Sequence, residues 1–146
     1  MAALTCDEGG ILLDGGKPQA MSLWQASGLA ATLDQGGVGV IVGAAPGVVG
    51  LTVEGCRDPS GRIGEVAQRL LAGIPSYAEI SPSGTGITVI ATIARPDACA
   101  PFRRDGFRAY RCGEVIPVTG WHVPGTPSDV LPVEAGLFSQ LREFLS

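Results

Sequence analysis

At 146 residues the chain has the length of one domain, and its 45% hydrophobic and 16% charged content is that of a packed globular protein, which excludes disorder. A net charge of −4 and a pI near 4.8 exclude the strong basic surplus of a dedicated duplex-DNA binder. No apolar run reaches the roughly 20 residues that span a bilayer. With no basic segment ahead of an apolar core at the N-terminus, cytoplasmic residence away from membranes is expected.

The first 20 residues are turn-rich, with a short apolar Ile11-Leu12-Leu13 between glycine pairs. Ser22-Leu23-Trp24-Gln25 has the form of a capping box. Leu23, Ala26, Ala30 and Leu33 at helical spacing then predict a helix over 22–33, stopped by Gly36-Gly37. The β-branched runs 38–43 and 48–55 predict a hairpin of neighbouring strands across Ala44-Ala45-Pro46-Gly47. Asp58-Pro59-Ser60-Gly61 predicts a turn, with Ser60 as N-cap of the next helix. Ile63, Val66, Ala67, Leu70 and Leu71 form that helix's apolar face, and Gly73 ends it. Strands are predicted over 77–80 and 87–93, around the turn Ser81-Pro82-Ser83-Gly84-Thr85-Gly86. A further strand pair is predicted over 107–112 and 114–119, joined at Gly113. A proline-rich connection over 121–132 leads to an amphipathic helix over 134–145, with Leu137, Leu141, Phe144 and Leu145 inward. This order predicts a single α+β domain over 1–146 with a mixed, largely antiparallel sheet and packed helices.

Few residues stand out as chemistry on spacing alone. Cys6, Cys56, Cys99 and Cys112 match no C-x-x-C pattern, so buried or half-buried thiols are expected; Cys99, Cys112 and His122 fit no common zinc spacing. His122 is the sole histidine, and no G-x-S-x-G elbow, P-loop or dinucleotide fingerprint is present. Aromatic content of 5% supplies no obvious stacking platform for single strands. Arg103, Arg104, Arg108 and Arg111 form a local basic cluster, read either as a solvated face or as a small patch for an anionic ligand.

Three segments carry more. They are Leu51-Thr52-Val53-Glu54-Gly55-Cys56-Arg57-Asp58-Pro59, then Ser76-Tyr77-Ala78-Glu79-Ile80-Ser81-Pro82-Ser83-Gly84-Thr85-Gly86-Ile87-Thr88, and last Phe107-Arg108-Ala109-Tyr110 followed by Val118-Thr119-Gly120. In this order, over about residues 17–120, they resemble the archaeo-eukaryotic primase superfamily, specifically the primase–polymerase domains of phage and plasmid replication proteins. That family's pattern runs Asp-x-Asp, Gly-Cys-Arg-Asp-Pro, Ser-Tyr-x-Glu-Ile-Ser-Pro-Ser-Gly-Thr-Gly-Ile-His, Glu-x-Tyr and Val-Thr-Gly. The resemblance implies a primase–polymerase fold with an RRM-like core, and two-metal phosphoryl transfer as the ancestral chemistry. Alternate residues on a strand share a face, so Asp-x-Asp sets two carboxylates side by side for Mg²⁺ or Mn²⁺.

This chain departs from the pattern at the chemical positions. Thr52 and Glu54 stand at the paired aspartates, Arg108 at the third carboxylate and Thr88 at the histidine. A set of three carboxylates has become one carboxylate and one guanidinium, so divalent-cation affinity is expected to collapse, with Arg108 pairing Glu54 in the metal's place. The resemblance thus implies a catalytically silent binding or regulatory module of a mobile element, needing no metal cofactor. Its expected partners are single-stranded DNA, a nucleotide, or a replication or host protein. Ser81, Ser83, Gly84, Thr85 and Gly86 of the turn and Arg103, Arg104, Arg108 and Arg111 would be its ligand contacts. An inhibitor or anti-defence factor reusing the fold is the alternative. Residual transfer, with Mg²⁺ or Mn²⁺ on Glu54, Asp58 and Glu79, is a third reading. Without the resemblance, Thr52, Thr88 and Tyr110 are ordinary strand residues, Glu54 a solvated edge charge and 81–86 a tight turn.

Overall fold

The structure, a computed structural model, describes residues 10–14, 17–21, 37–41, 47–94, 102–110, 114–134, 136, 137 and 140. The helix expected over 22–33 lies outside these residues, and of that expected over 134–145 only 134, 136, 137 and 140 are among them, the last three helical.

The described chain is an α+β fold built on two antiparallel sheets. Strands β1 (Gly10–Asp14), β2 (Lys17–Met21), β3 (Gly37–Ile41) and β9 (Val115–Val118) form one, in the order β2-β1-β3-β9. Strands β4 (Val48–Val53), β5 (Tyr77–Ile80), β6 (Ile87–Thr92), β7 (Phe102–Arg104) and β8 (Phe107–Ala109) form the other, in the order β5-β6-β4-β8-β7. Helix α1 (Glu65–Gly73) is described throughout, and the described residues 136, 137 and 140 are also helical.

The five-stranded sheet is covered on both sides. Val49, Leu51 and Val53 of β4, Ala78 and Ile80 of β5, and Ile87, Val89 and Ala91 of β6 face one core with Ala67, Leu70 and Ile74 of the helix region. The alternate residues Val48, Tyr77 and Ile90 face a second core with Tyr110 and Ile116. Two buried faces explain why β4 and β6 read as nearly continuous apolar runs. Gly50 makes the second contact close: a Cβ there would collide with the Ile116 side chain, so β9 of the first sheet seats directly on β4.

Several local expectations are corrected. The runs 38–43 and 48–55 are not hairpin partners, since β3 pairs with β1 and β9 whereas β4 pairs with β6 and β8. Nor do 107–112 and 114–119 pair with each other: β8 turns back on β7 across Asp105-Gly106, while β9 joins β3. Gly106, with φ +76, supplies the left-handed position of that tight turn. Finally, Ser60 does not cap α1. Its hydroxyl donates to Asp58 Oδ1 at 2.6 Å, and the extended cap position is Gly64, which has no side-chain bond to offer. Val66, assigned to the apolar face, is exposed. Strands β1 and β2, in a stretch read as turn-rich, form an unexpected hairpin.

Candidate functional site

One row of side chains crosses the whole five-stranded sheet. Glu79 lies opposite Thr88, Thr88 opposite Thr52, Thr52 opposite Arg108, and Arg108 opposite Arg103. Strand alternation puts all five on the face away from α1. The row runs from interior to solvent: Glu79, Thr88 and Thr52 are 0%, 1% and 5% exposed, Arg108 is half-buried and Arg103 is exposed. The Thr52 hydroxyl lies 2.8 Å from that of Thr88 and 3.1 Å from that of Tyr110. These hydroxyls satisfy one another in the interior, as buried polar groups must. Above them opens a concavity of about 550 Å³, lined by Thr52, Glu54, Arg103, Arg104, Arg108 and Tyr110 among others.

Three of the four positions singled out from the sequence therefore line one cleft, with Thr88 bonded beneath them. Their interactions differ from expectation in one respect. Arg108 pairs with Glu114 at 3.2 Å and lies 4.4 Å over the Tyr110 ring, rather than pairing with Glu54. The Glu54 carboxylate is instead held by the 81–86 turn. Its Oε2 accepts the Ser83 hydroxyl at 2.6 Å, Ser81 at 3.2 Å and Thr85 at 3.3 Å. Arg57 locks this turn from the other side, donating from Nη1 to the Gly84 carbonyl at 3.0 Å. Thus the hydroxyls of Ser81, Ser83 and Thr85 surround Glu54, while Gly84 takes φ +76 and Gly86 lies against the β4 backbone.

Val118-Thr119-Gly120, the least specific piece of the sequence pattern, has a defined task. The Thr119 N–H donates to Glu79 Oε1 at 2.8 Å, and the Gly120 N–H to Oε2 at 3.0 Å. The Tyr77 hydroxyl reaches Oε2 at 2.8 Å. A wholly buried carboxylate thereby ties the chain after β9 to the edge of β5. His122 continues this attachment: it bridges to Glu79, stacks on Tyr77 with centroids 5.4 Å apart, and places Nε2 2.9 Å from the Pro127 carbonyl. Sequence reasoning missed this latch and the role of Arg57. The signal available was the recurrence of Val-Thr-Gly with Ser-Tyr-x-Glu in one pattern.

Burial, reinforced by the Glu79 carboxylate beside it, pushes the Tyr77 hydroxyl well above the ordinary tyrosine range. Its folded pKa exceeds the unfolded value of about 10, so its stabilisation is complete below about pH 10 and is lost as pH rises further. Urea titrations across pH 8 to 11 should show stability falling above about pH 10, with Tyr77→Phe flattening part of that fall. An unchanged slope in the variant would count against it.

The remaining candidates are dispersed, apart from Arg104, which lines the same cleft. Arg104 is exposed on β7, and Arg111 lies outside the described residues, as do Cys6, Cys99 and Cys112. Cys56 is half-buried, its thiol raised mainly by desolvation and donating to the Val53 carbonyl at 3.3 Å. Asp58 sits in its own exposed turn beside a separate concavity of about 500 Å³, which Glu54 does not line. Its carboxyl is held low chiefly by the Ser60 hydroxyl. Glu54, Asp58 and Glu79 are not drawn together, and no three His, Cys, Asp or Glu side chains gather as metal ligands among the described residues. Compared with known proteins, the chain matches no protein-family model and no curated protein.

Proposed function

We propose that this chain is a non-catalytic, primase–polymerase-like binding or regulatory module of a mobile element, using its cleft to hold nucleic acid or nucleotide, or a replication protein. The observation that carries this reading is the clustering of Thr52, Glu54 and Arg108 around one concavity, with Thr88 bonded directly beneath Thr52. These are the positions where the resemblance puts metal ligands and a phosphate-binding histidine. Here the interior members are neutral hydroxyls, and the third carboxylate position carries a fixed positive charge. A divalent cation in that cleft would meet Arg108 at close range, whereas a phosphate would be attracted. The protein's own part is then to bind and orient, without activating a hydroxyl for attack.

Fluorescence anisotropy at low salt tests this directly, using labelled single-stranded DNA, RNA and nucleotides. Binding is expected for at least one of them, weakening as salt rises, because phosphate contacts release counterions. Primer extension with Mg²⁺ or Mn²⁺ is expected to yield no product. Absence of binding up to millimolar concentrations would remove the nucleic-acid reading, and Glu54-dependent extension would overturn the non-catalytic one.

A protein partner is the second reading, favoured by Trp121. It is 55% exposed on the loop after β9, with the Arg57 guanidinium 4.8 Å over its ring. Tryptophan and arginine are the side chains most enriched where protein interfaces concentrate their binding energy.

A further inference from the structure

The outer end of the polar row contains an unfavourable arrangement. Arg103 and Arg108 face each other directly across β7 and β8. Like charges at opposed cross-strand positions destabilise a sheet. Glu114 offsets Arg108 in part, at 3.2 Å with both side chains more than a third exposed. Arg103 is exposed and has no ion-pair or hydrogen-bond partner among the described residues. Two arginines at opposed cross-strand positions, both lining a concavity of about 550 Å³, suit an anion that both side chains can grip.

Building on the proposed cleft, we infer that the Arg103–Arg108 pair is a metal-independent seat for the terminal phosphate monoester of a nucleoside or of a nucleic-acid strand end. Charge selects this class. Of the arginines lining the cleft, Arg103 has no counter-ion among the described residues and Arg108 is only partly offset by Glu114, while Glu54 Oε2 is already engaged by three hydroxyls. A phosphate monoester carries about −1.5 to −2 charge and three acceptor oxygens, matching two planar donors. A nucleoside triphosphate ordinarily brings a divalent cation with it, which would sit against Arg108. An internal phosphodiester offers one charge per unit and is usually followed by a longer basic groove; the row here ends after two arginines. The concavity also falls in the size range of small-ligand pockets, leaving room for the attached nucleoside.

The test is competition anisotropy on the full chain at low salt. It compares one short single-stranded oligonucleotide with a 5′-phosphate or a 5′-hydroxyl, a nucleoside monophosphate and its nucleoside, each in EDTA and in Mg²⁺. The phosphorylated member of each binding pair should bind about tenfold tighter, as expected for charge-assisted hydrogen bonds. EDTA should leave that preference intact. Arg103→Gln should abolish it at an equal or slightly raised melting temperature, since it also removes the cross-strand repulsion, while Arg69→Gln, on the helix at the other face, should keep it. Competition by the free monophosphate identifies a nucleotide site; binding of the phosphorylated oligonucleotide alone identifies a strand-end site. Equal affinity of the phosphorylated and unphosphorylated members in both pairs, or a preference that needs Mg²⁺, would overturn this inference and leave the module reading standing. No binding of any ligand would remove both this inference and the nucleic-acid reading of the module.

Discussion

Replacing Glu79 by alanine should lower the folding free energy by about 2–4 kcal/mol, read as a shift of the urea midpoint at unchanged slope. The carboxylate is fully buried and accepts from Thr119 N–H, Gly120 N–H and the Tyr77 hydroxyl. Truncation strands these three donors, each at a cost of about 1–3 kcal/mol when left dry. Relief of the buried carboxylate's own desolvation returns part of that cost, which sets the lower end of the range. Glu79→Gln separates shape from charge. It fills the same volume, but its amide NH₂ must face a backbone N–H, so about half of the alanine effect should remain. Hydrogen exchange should locate the damage in 119–123, the segment that otherwise pairs with β5 through the Ile80 N–H to Trp121 carbonyl bond at 2.7 Å. A midpoint unchanged in both variants would show that the latch contributes nothing.

Gly86→Ala should be nearly as costly, at about 2–3 kcal/mol, for a steric reason. A Cβ at Gly86 would run into the Val53 carbonyl oxygen, and would lie 2.6 Å from Glu54 Oε2 and 2.9 Å from Glu54 Cα. The first and last of these belong to the backbone and cannot rotate away. The turn can relieve the clash only by lifting from β4, which would pull Ser81, Ser83 and Thr85 off the Glu54 carboxylate. Gly84→Ala is a useful contrast, because a Cβ there meets nothing within 4 Å although φ is +76. It should cost about 1–2 kcal/mol through backbone strain alone. Thermal melts of the two variants, with ligand anisotropy alongside, distinguish the effects: only Gly86→Ala should also disturb binding in the cleft. Equal losses in both assays would remove this account of the turn.

Several elements were legible from residue pattern. The apolar spacing of Ala67 and Leu70 with a closing Gly73 predicted α1, and the β-branched runs predicted β4 and β6. The α+β class and antiparallel character followed from element order. What failed was pairing. The runs around β3 and β4 are adjacent in sequence and carry a turn signal between them, yet they enter different sheets. Local pattern specifies that a segment is extended; the partner depends on which apolar face it must cover. The β7–β8 hairpin was readable in principle, because Asp105-Gly106 between Phe102-Arg103-Arg104 and Phe107-Arg108-Ala109 is a short-range hairpin signal. Overlooking it placed the strand break at Gly113 instead.

The candidate site divides in the same way. Sequence alone determined which residue types stand at Thr52, Glu54, Thr88 and Arg108, and hence that three carboxylates' worth of charge is missing from that set. Only the tertiary structure decided what each does. Antiparallel register aligned Glu79, Thr88, Thr52, Arg108 and Arg103 across five strands, a juxtaposition of residues up to 56 positions apart (Thr52 and Arg108) that no local spacing encodes. Burial then sorted that row, closing the threonine hydroxyls on each other and leaving the arginine pair at the mouth. Partner choice followed reach: Glu54 was nearer the serine turn, and Arg108 nearer Glu114. Charge content is a property of the chain, but whether a charge is neutralised, buried or offered to a ligand depends on the neighbours that folding supplies.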